Sequence, residues 1–299
     1  MSNSKISIVT LIAKPGSRAL GHALSLKCSN AINAQSCHWL SEKHVIEYVV
    51  SDTEKSMLTQ KLKAILGTAP IDIAVQTHCK NRRKKLLIAD MDSTMIRQEC
   101  IDELAAEAGI KDHVAAITAR AMNGEIEFEA ALRERVALLK DLDTSVIDKV
   151  VATRIELMPG GVALVKTMRK HGAYCALVSG GFTEFTSRIA DMIGFQENRA
   201  NTLLHANGKL SGKVGEPILG MQAKVDALND IAGRLGLNPN DAIAVGDGAN
   251  DLGMLAHAGL GVALHAKPAV AAQADVRIDH GDLTALLYLQ GYSESQIQI

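Results

Sequence analysis

The stretch Leu86-Leu87-Ile88-Ala89-Asp90-Met91-Asp92-Ser93-Thr94 decides how this chain is read. A short apolar run ends in two carboxylates spaced two apart, then two hydroxyls. It reads as a strand that presents Asp90 and Asp92 in the loop beyond its carboxyl end. In open α/β sheets, ligands bind at that place. Carboxylates, hydroxyls and backbone groups crowded there can hold a Mg²⁺ and receive a phosphoryl group. A solvated turn is the plainer reading of a lone D-x-D, because Asp is common in turns. Two further strand ends with suitable polar residues favour the site.

The second strand end is Ser179-Gly180-Gly181, after the apolar Tyr174–Val178. Glycines let backbone N–H groups approach an anion closely, and the Ser179 hydroxyl adds a donor. Taken alone, this triplet is an ordinary turn. The third is Gly246-Asp247-Gly248-Ala249-Asn250-Asp251, after the strand-like Ala242–Val245. It supplies two carboxylates and an amide. Mg²⁺ prefers oxygen ligands, so Asp247 is placed to bind one. Asn250 and Asp251 can serve the site, cap a helix, or do both. Lys224 stands near a predicted helix start after the turn-rich 215–220. A cation there would offset phosphate charge in the transition state. Spacing alone makes it a surface lysine.

Outward from these motifs, strands and helices alternate from Leu86 onward. That predicts an α/β core with a mostly parallel sheet and helices on both faces. The block from about 97 to 157 is helical and too long for a simple crossover. It is expected to stand above the sheet as a cap over the site. Met158-Pro159-Gly160 opens a helix to His171, and Asn207-Gly208 marks a hairpin. Further strands are expected at Leu260–Ala263 and Val276–Ile278. Residues 1–80 read in the order βαββαβ: strand Ile6–Ala13, helix Ser17–Asn30, a weak strand at Cys37–Leu40, strand Val45–Ser51, helix Glu54–Leu66 and strand Ile71–Thr77. That order suits a small α+β ferredoxin-like unit. The basic run of residues 81–85, with no apolar period, reads as a linker to a core of 86–299. A nucleic-acid patch is the sharper alternative, but no aromatic residues are interleaved.

Composition narrows the class. The 299 residues are 47% hydrophobic, which supports packed cores in two domains. A formal net charge of −1 offers no argument for a nucleic-acid or membrane surface. No apolar run is long enough to predict a transmembrane helix, and residues 1–5 lack a signal-peptide pattern. The five cysteines, Cys28, Cys37, Cys79, Cys100 and Cys175, are scattered and form no C-x-x-C pair. They read as free thiols in a reducing cytoplasm rather than disulfides or a zinc site.

Together the four motifs resemble those of the haloacid dehalogenase-like phosphohydrolases. They stand as Asp90-Met91-Asp92-Ser93-Thr94, Ser179-Gly180-Gly181, Lys224 and Gly246-Asp247-Gly248-Ala249-Asn250-Asp251, in the family's order. The match spans 86 to about 279. Cation-pumping ATPases of this superfamily carry Thr where this chain has Asp92. A carboxyl group there marks phosphatases and mutases. Within the cap, residues 91–99 and 121–136 resemble the phosphoserine phosphatase family. The resemblance implies that Glu99 binds a substrate ammonium and Arg135 a substrate carboxylate, with Met122 and Phe128 as an apolar wall. A guanidinium matches a carboxylate in a bidentate fork. The plainer readings are that Glu99 is a helix-face charge and that Arg135 pairs with Glu134 or Glu129.

The resemblance also implies a mechanism. Asp90 attacks phosphorus to form an aspartyl-phosphate, and Asp92 acts as general acid, then base. Mg²⁺ sits on Asp90, Asp247 and the main-chain carbonyl of Asp92. Ser179, Gly180 and Lys224 hold the phosphoryl oxygens, with Asn250 and Asp251 in support. The substrate would be O-phospho-L-serine, and the reaction the last step of serine biosynthesis. Residues 1–80 resemble the ACT family of amino-acid-sensing modules. They imply either an amino-acid effector site or an oligomerisation unit such as a homodimer contact, and the sequence leaves the oligomeric state open. Two other functions stay open: phosphoryl transfer to another alcohol such as homoserine, and a non-catalytic amino-acid sensor.

Overall fold

The computed structural model of the protein describes residues 6–51, 53–122 and 125–299, apart from the side chain of Met122. The first unit follows β1 (Ile6–Ala13), α1 (His22–Ala31), β2 (Ser36–Ser41), β3 (Val45–Ser51), α2 (Lys55–Leu66) and β4 (Ile71–Thr77). Its sheet is antiparallel in the order β2-β3-β1-β4, so the expected βαββαβ arrangement is present. Helix α1 begins at His22 rather than Ser17. Gly16 and Arg18 both adopt positive φ, 76° and 52°, which a right-handed helix cannot accept.

Strand β5 (Leu86–Ala89) opens the second unit, and all four of its residues are buried. Four helices follow: α3 (Cys100–Glu107), α4 (Lys111–Met122), α5 (Phe128–Ala137) and α6 (Ser145–Thr153). The chain then passes through α7 (Gly161–Lys170), β6 (Tyr174–Phe182), α8 (Thr183–Ile193) and β7 (Glu197–Asn201). The hairpin β8 (Leu203–Ala206) and β9 (Lys209–Val214) turns at Asn207-Gly208, both at positive φ. Helix α9 (Met221–Arg234), β10 (Ala242–Gly246), α10 (Leu252–His257), β11 (Leu260–Leu264), α11 (Pro268–Ala271), β12 (Val276–Ile278) and α12 (Ala285–Leu289) complete the fold.

The six core strands run in the order β12-β11-β10-β5-β6-β7, and every pairing is parallel. From β5 the chain steps to β6 on one side and later to β10 on the other. The winding therefore reverses beside β5, at the point where an α/β sheet opens a crevice beyond its carboxyl ends. Helices α3 to α6 form the expected insertion. Two short segments carry it, joined by a bridge between Ile96 and Leu157 and by Met158 N–H donating to the Met95 carbonyl at 2.9 Å. Helix α5 packs on β9, and Leu132 and Val136 share a core with Leu210 and Val214.

The basic run between the units is engaged inside the molecule. Arg82 pairs with the buried Glu47 of β3 and donates to the Leu289 carbonyl at 2.8 Å. Arg83 lies over the Tyr292 ring at 4.0 Å, and Lys84 Nζ donates to the Asn240 carbonyl at 2.7 Å. A second tie is Asp72 of β4. Its carboxylate accepts the backbone N–H groups of Asp279, His280 and Gly281, the last at 2.7 Å. Among the described residues, no helix is long and apolar enough to cross a membrane.

Candidate active site

Three strand ends meet at the switch point. Asp90 follows β5 directly, and its N–H donates to the Val245 carbonyl of β10 at 3.0 Å. Asp247 and Asp251 follow β10. The carboxylates of Asp90, Asp247 and Asp251 each offer an oxygen within 4.8 Å of the others. Lys224, on the first turn of α9, is only 2% exposed. Its ammonium lies 2.7 Å from Asp90 Oδ1 and 2.6 Å from Asp251 Oδ1. The surface position suggested by spacing is thus wrong. Residues 215–220 launch α9 early, at Met221, and turn that face of the helix towards the crevice.

Burying these charges shifts their proton equilibria. Burial drives the Asp90 carboxyl well above its usual range, and Asp251 adds to this while Lys224 opposes it. Asp247 is pushed up to about 6 by burial and then by Asp251. Burial alone would lower Lys224, but Asp90 and Asp251 outweigh it and hold the ammonium charged above its usual range. Three carboxylates crowd one ammonium in a half-enclosed space, a surplus of acidic groups that helps to raise the Asp90 and Asp247 carboxyls. Clustered carboxylate oxygens with that surplus fit a hard divalent cation. Asp92's side chain stands outside the cluster. Asp251, expected only as support, stands within it.

Asp92 is held for a different task. Its Oδ1 accepts the Cys100 N–H at 3.1 Å, at the start of α3. Burial first, then the Glu99 charge, raises its carboxyl to about 7. Gly181 leaves room for the other oxygen: a Cβ there would lie 2.8 Å from Asp92 Oδ2. The sequence pattern ends the strand at Val178 and makes Ser179-Gly180-Gly181 a loop. The strand instead continues to Phe182, with its register shifted between Val178 and Phe182. Ser179 Oγ is buried and accepts the Gly181 N–H at 2.9 Å. Asp251 does double work, because its Oδ2 also accepts the Gly248 N–H at 3.0 Å. Asn250 lies beside it in the short 3₁₀ turn Ala249–Asp251.

The cap supplies the remaining groups. Glu99, at the N-terminal end of α3, takes a hydrogen bond from Ser93 Oγ at 2.7 Å, and surrounding protein raises its carboxyl from the usual range. Arg135 pairs with neither glutamate considered for it. Glu134 pairs with Arg120 at 3.1 Å and Glu129 with Arg133 at 3.6 Å. Arg135 donates to the Ala131 carbonyl at 3.3 Å and to Thr118 Oγ1 at 3.4 Å, both neutral. Burial lowers its pKa, and Asp102, Glu99 and Asp92 pull the other way. Among the described residues no carboxylate lies within salt-bridge distance of it. Phe128 sits over Gly180 and Gly220, with ring atoms 3.5 and 3.7 Å from where a Cβ would stand. Arg133 pairs with Glu216 and so ties the cap to the loop before α9. Met122 ends α4, and its side chain lies outside the described residues.

Two buried residues escaped the sequence reading. Thr94 donates from Oγ1 to Asp247 Oδ1 at 3.1 Å, and its place in the first motif was the available signal. Asn201, at the end of β7, donates to the Gly180 carbonyl at 2.9 Å, and nothing in the sequence marks it.

Comparison with known proteins agrees with this arrangement. Residues 84–259 match the family model described as a hydrolase, haloacid dehalogenase-like hydrolase. The chain is 38% identical over 291 residues to a phosphoserine phosphatase of Streptomyces coelicolor, covering 93% of this chain and 71% of that protein. It is 49% identical over 210 residues to a phosphoserine phosphatase of Polaromonas sp., covering 69% and 89%. The solved structure of a probable phosphoserine phosphatase from Vibrio cholerae superposes with a TM-score of 0.77 at 32% identity, covering 97% of this chain and 88% of that one.

Proposed function

This chain belongs to the haloacid dehalogenase-like hydrolases, and on that premise we propose that it hydrolyses O-phospho-L-serine to L-serine and phosphate. One observation carries the substrate reading: among the described residues Arg135 makes no carboxylate ion pair, and it feels the charges of Glu99 and Asp92 beside the Asp90–Lys224 centre. A phosphomonoester carrying both an ammonium and a carboxylate would satisfy both groups. The relatives named as phosphoserine phosphatases support the same reading.

Asp90 is the nucleophile. Lys224 opposes the rise in the Asp90 carboxyl and stands ready for a phosphoryl oxygen; in-line attack by the carboxylate on phosphorus gives an aspartyl-phosphate as the serine oxygen leaves. Asp92, raised to about 7, keeps its proton near neutrality and passes it to the departing serine oxygen. The same carboxylate then takes a proton from the water that cleaves the aspartyl-phosphate. Ser179 and the Gly180 backbone receive the non-bridging oxygens. Asp90, Asp247 and Asp251, with the Asp92 main-chain carbonyl, would hold Mg²⁺, which supplies electrostatic stabilisation of the phosphoryl charge. Phe128 and the Arg133–Glu216 pair let the cap close on the core and exclude water.

The reading places the enzyme at the last step of serine biosynthesis, in the cytoplasm. It also gives residues 1–80 the role of an ACT-like unit with an amino-acid effector site or a homodimer contact. Phosphate release from L-phosphoserine, with Mg²⁺ and with EDTA, tests the function. Mg²⁺-dependent release that is lost in Asp90→Asn is expected. A sugar phosphate hydrolysed in preference to phosphoserine would overturn the substrate assignment. Transfer of phosphate to homoserine instead of water would replace hydrolysis by phosphotransfer.

A further inference from the structure

We propose that Asn201 is a positioning residue that sets the two phosphate-holding elements at their working distance. Its side chain is 2% exposed at the end of β7, opposite Phe182 of β6. The amide nitrogen donates to the Gly180 carbonyl at 2.9 Å and to the Leu219 carbonyl at 3.3 Å. The amide oxygen accepts the Leu219 N–H at 2.7 Å. Both amide hydrogens and one oxygen lone pair are therefore used. The orientation is unambiguous, because a flipped amide would set its oxygen against two carbonyls.

What the amide joins is the reason for the assignment. Gly180 lies between Ser179 and Gly181, which are joined by the Gly181 N–H to Ser179 Oγ bond, and Gly181 backs onto Asp92 so closely that a Cβ would lie 2.8 Å from its Oδ2. Leu219 is two residues before α9, which carries Lys224 one turn later. One buried side chain, outside the substrate and metal groups proposed above, thus links the Ser179 segment to the segment that launches Lys224, while Asp90 and Asp251 hold the ammonium end. Phosphoryl transfer depends on such geometry to fractions of an ångström. Phe128 packs over Gly180 and Gly220 through its ring alone. Among the described residues, the neighbouring polar ties on the 215–220 loop are the Gly215 N–H on the Thr202 carbonyl at 2.8 Å and the Arg133–Glu216 pair. Both act at the far end of the loop from Leu219.

The inference rests on the phosphomonoester reading of the site. Its test uses the full-length Asn201→Ala, Asn201→Ser and Asn201→Asp variants with Mg²⁺, and constants are expressed per folded molecule. The readouts are kcat and KM for L-phosphoserine, and competitive inhibition by inorganic phosphate. A five- to tenfold weaker inhibition by phosphate and a comparable fall in kcat are expected. The preference for phosphoserine over phosphoethanolamine should stay unchanged, because Glu99 and Arg135 are untouched. In Asn201→Asp the defect should narrow as pH falls, since a protonated carboxyl can donate again to one of the two carbonyls. Constants equal to wild type in any folded variant overturn the proposal, as does failure of all three to fold, which would make the role one of fold alone. A wild type that neither hydrolyses phosphomonoesters nor binds phosphate overturns the functional reading instead.

Discussion

Replacing Gly181 with alanine tests how tightly the site holds its acid. The new methyl group would stand 2.8 Å from Asp92 Oδ2, 3.1 Å from Ser179 Oγ and 3.2 Å from Met91 Cε. Ordinary contact begins near 3.4 Å, so the Asp92 oxygen must retreat by about 0.6 Å. Its other oxygen is tethered to the Cys100 N–H, so the carboxylate swings rather than slides. A displacement of ~1 Å costs up to ~10²-fold in rate. About 0.6 Å then corresponds to roughly tenfold in kcat, or ~1.4 kcal/mol of barrier. Steady-state phosphate release from L-phosphoserine reads this directly. With p-nitrophenyl phosphate the loss should be smaller, because that leaving group needs little help from an acid. Gly180→Ala is the matched control for folding. Its methyl group meets only Phe128 Cζ at 3.5 Å and the Leu219 carbonyl at 3.9 Å, so an unchanged melting temperature is expected. A Gly181→Ala enzyme with kcat within twofold of wild type at an unchanged melting temperature would refute the reasoning.

Three other outcomes follow from the geometry. With the Asp92 carboxyl near 7, raising the pH removes the proton that leaving serine needs. The value of kcat/KM for phosphoserine should therefore fall above about pH 7, and Asp92→Asn should lower it by ~10²–10⁴ and flatten the profile. A wild-type profile flat to pH 9 would contradict the acid role. Lys224→Met leaves Asp90 and Asp251 facing each other without their cation, so activity should drop by at least ~10² and stability by about 3–5 kcal/mol. Thermal melts and phosphate release check both parts, and an active, equally stable variant would defeat the assignment. Arg135→Ala should cut kcat/KM for L-phosphoserine by roughly 10–100-fold, the worth of a charged hydrogen bond. Phosphoethanolamine, which has no carboxylate, should be hydrolysed as by the wild type, and equal losses on both substrates would remove Arg135 from carboxylate recognition.

Local pattern carried most of the architecture. Strand β4 spans Ile71–Thr77 and β5 opens at Leu86 as the alternating and continuous apolar runs imply, because strand period and burial are written residue by residue. Asn207-Gly208 turns a hairpin because both residues tolerate positive φ. The positions of Asp90, Asp92 and Asp247 follow from the same logic, since a buried parallel strand must end in a loop at the sheet's carboxyl edge. Where local pattern misled, backbone geometry overruled it: positive φ at Gly16 and Arg18 delays α1, and β6 runs on through the glycines.

Charge placement is another matter, because it depends on which distant segments share a space. Read in isolation, Lys224 is one of many lysines. Folding buries it between Asp90 and Asp251, which lie far from it in sequence on two different strand ends. Arg135 had two glutamates nearby in sequence, yet Arg120 and Arg133 took them, and its own hydrogen bonds, to the Ala131 carbonyl and Thr118 Oγ1, go to neutral oxygens. Asn201 carries no motif, since an amide acquires meaning only when two backbone segments arrive on either side of it. The sequence by itself determined the strands, the helices and the chemical types at each strand end, all of which rest on interactions a few residues long. Only the tertiary structure decided which charges pair, which stay open to a ligand and what holds them in register. Those outcomes depend on long-range packing and on the electrostatics of burial, and neither is encoded at any single position.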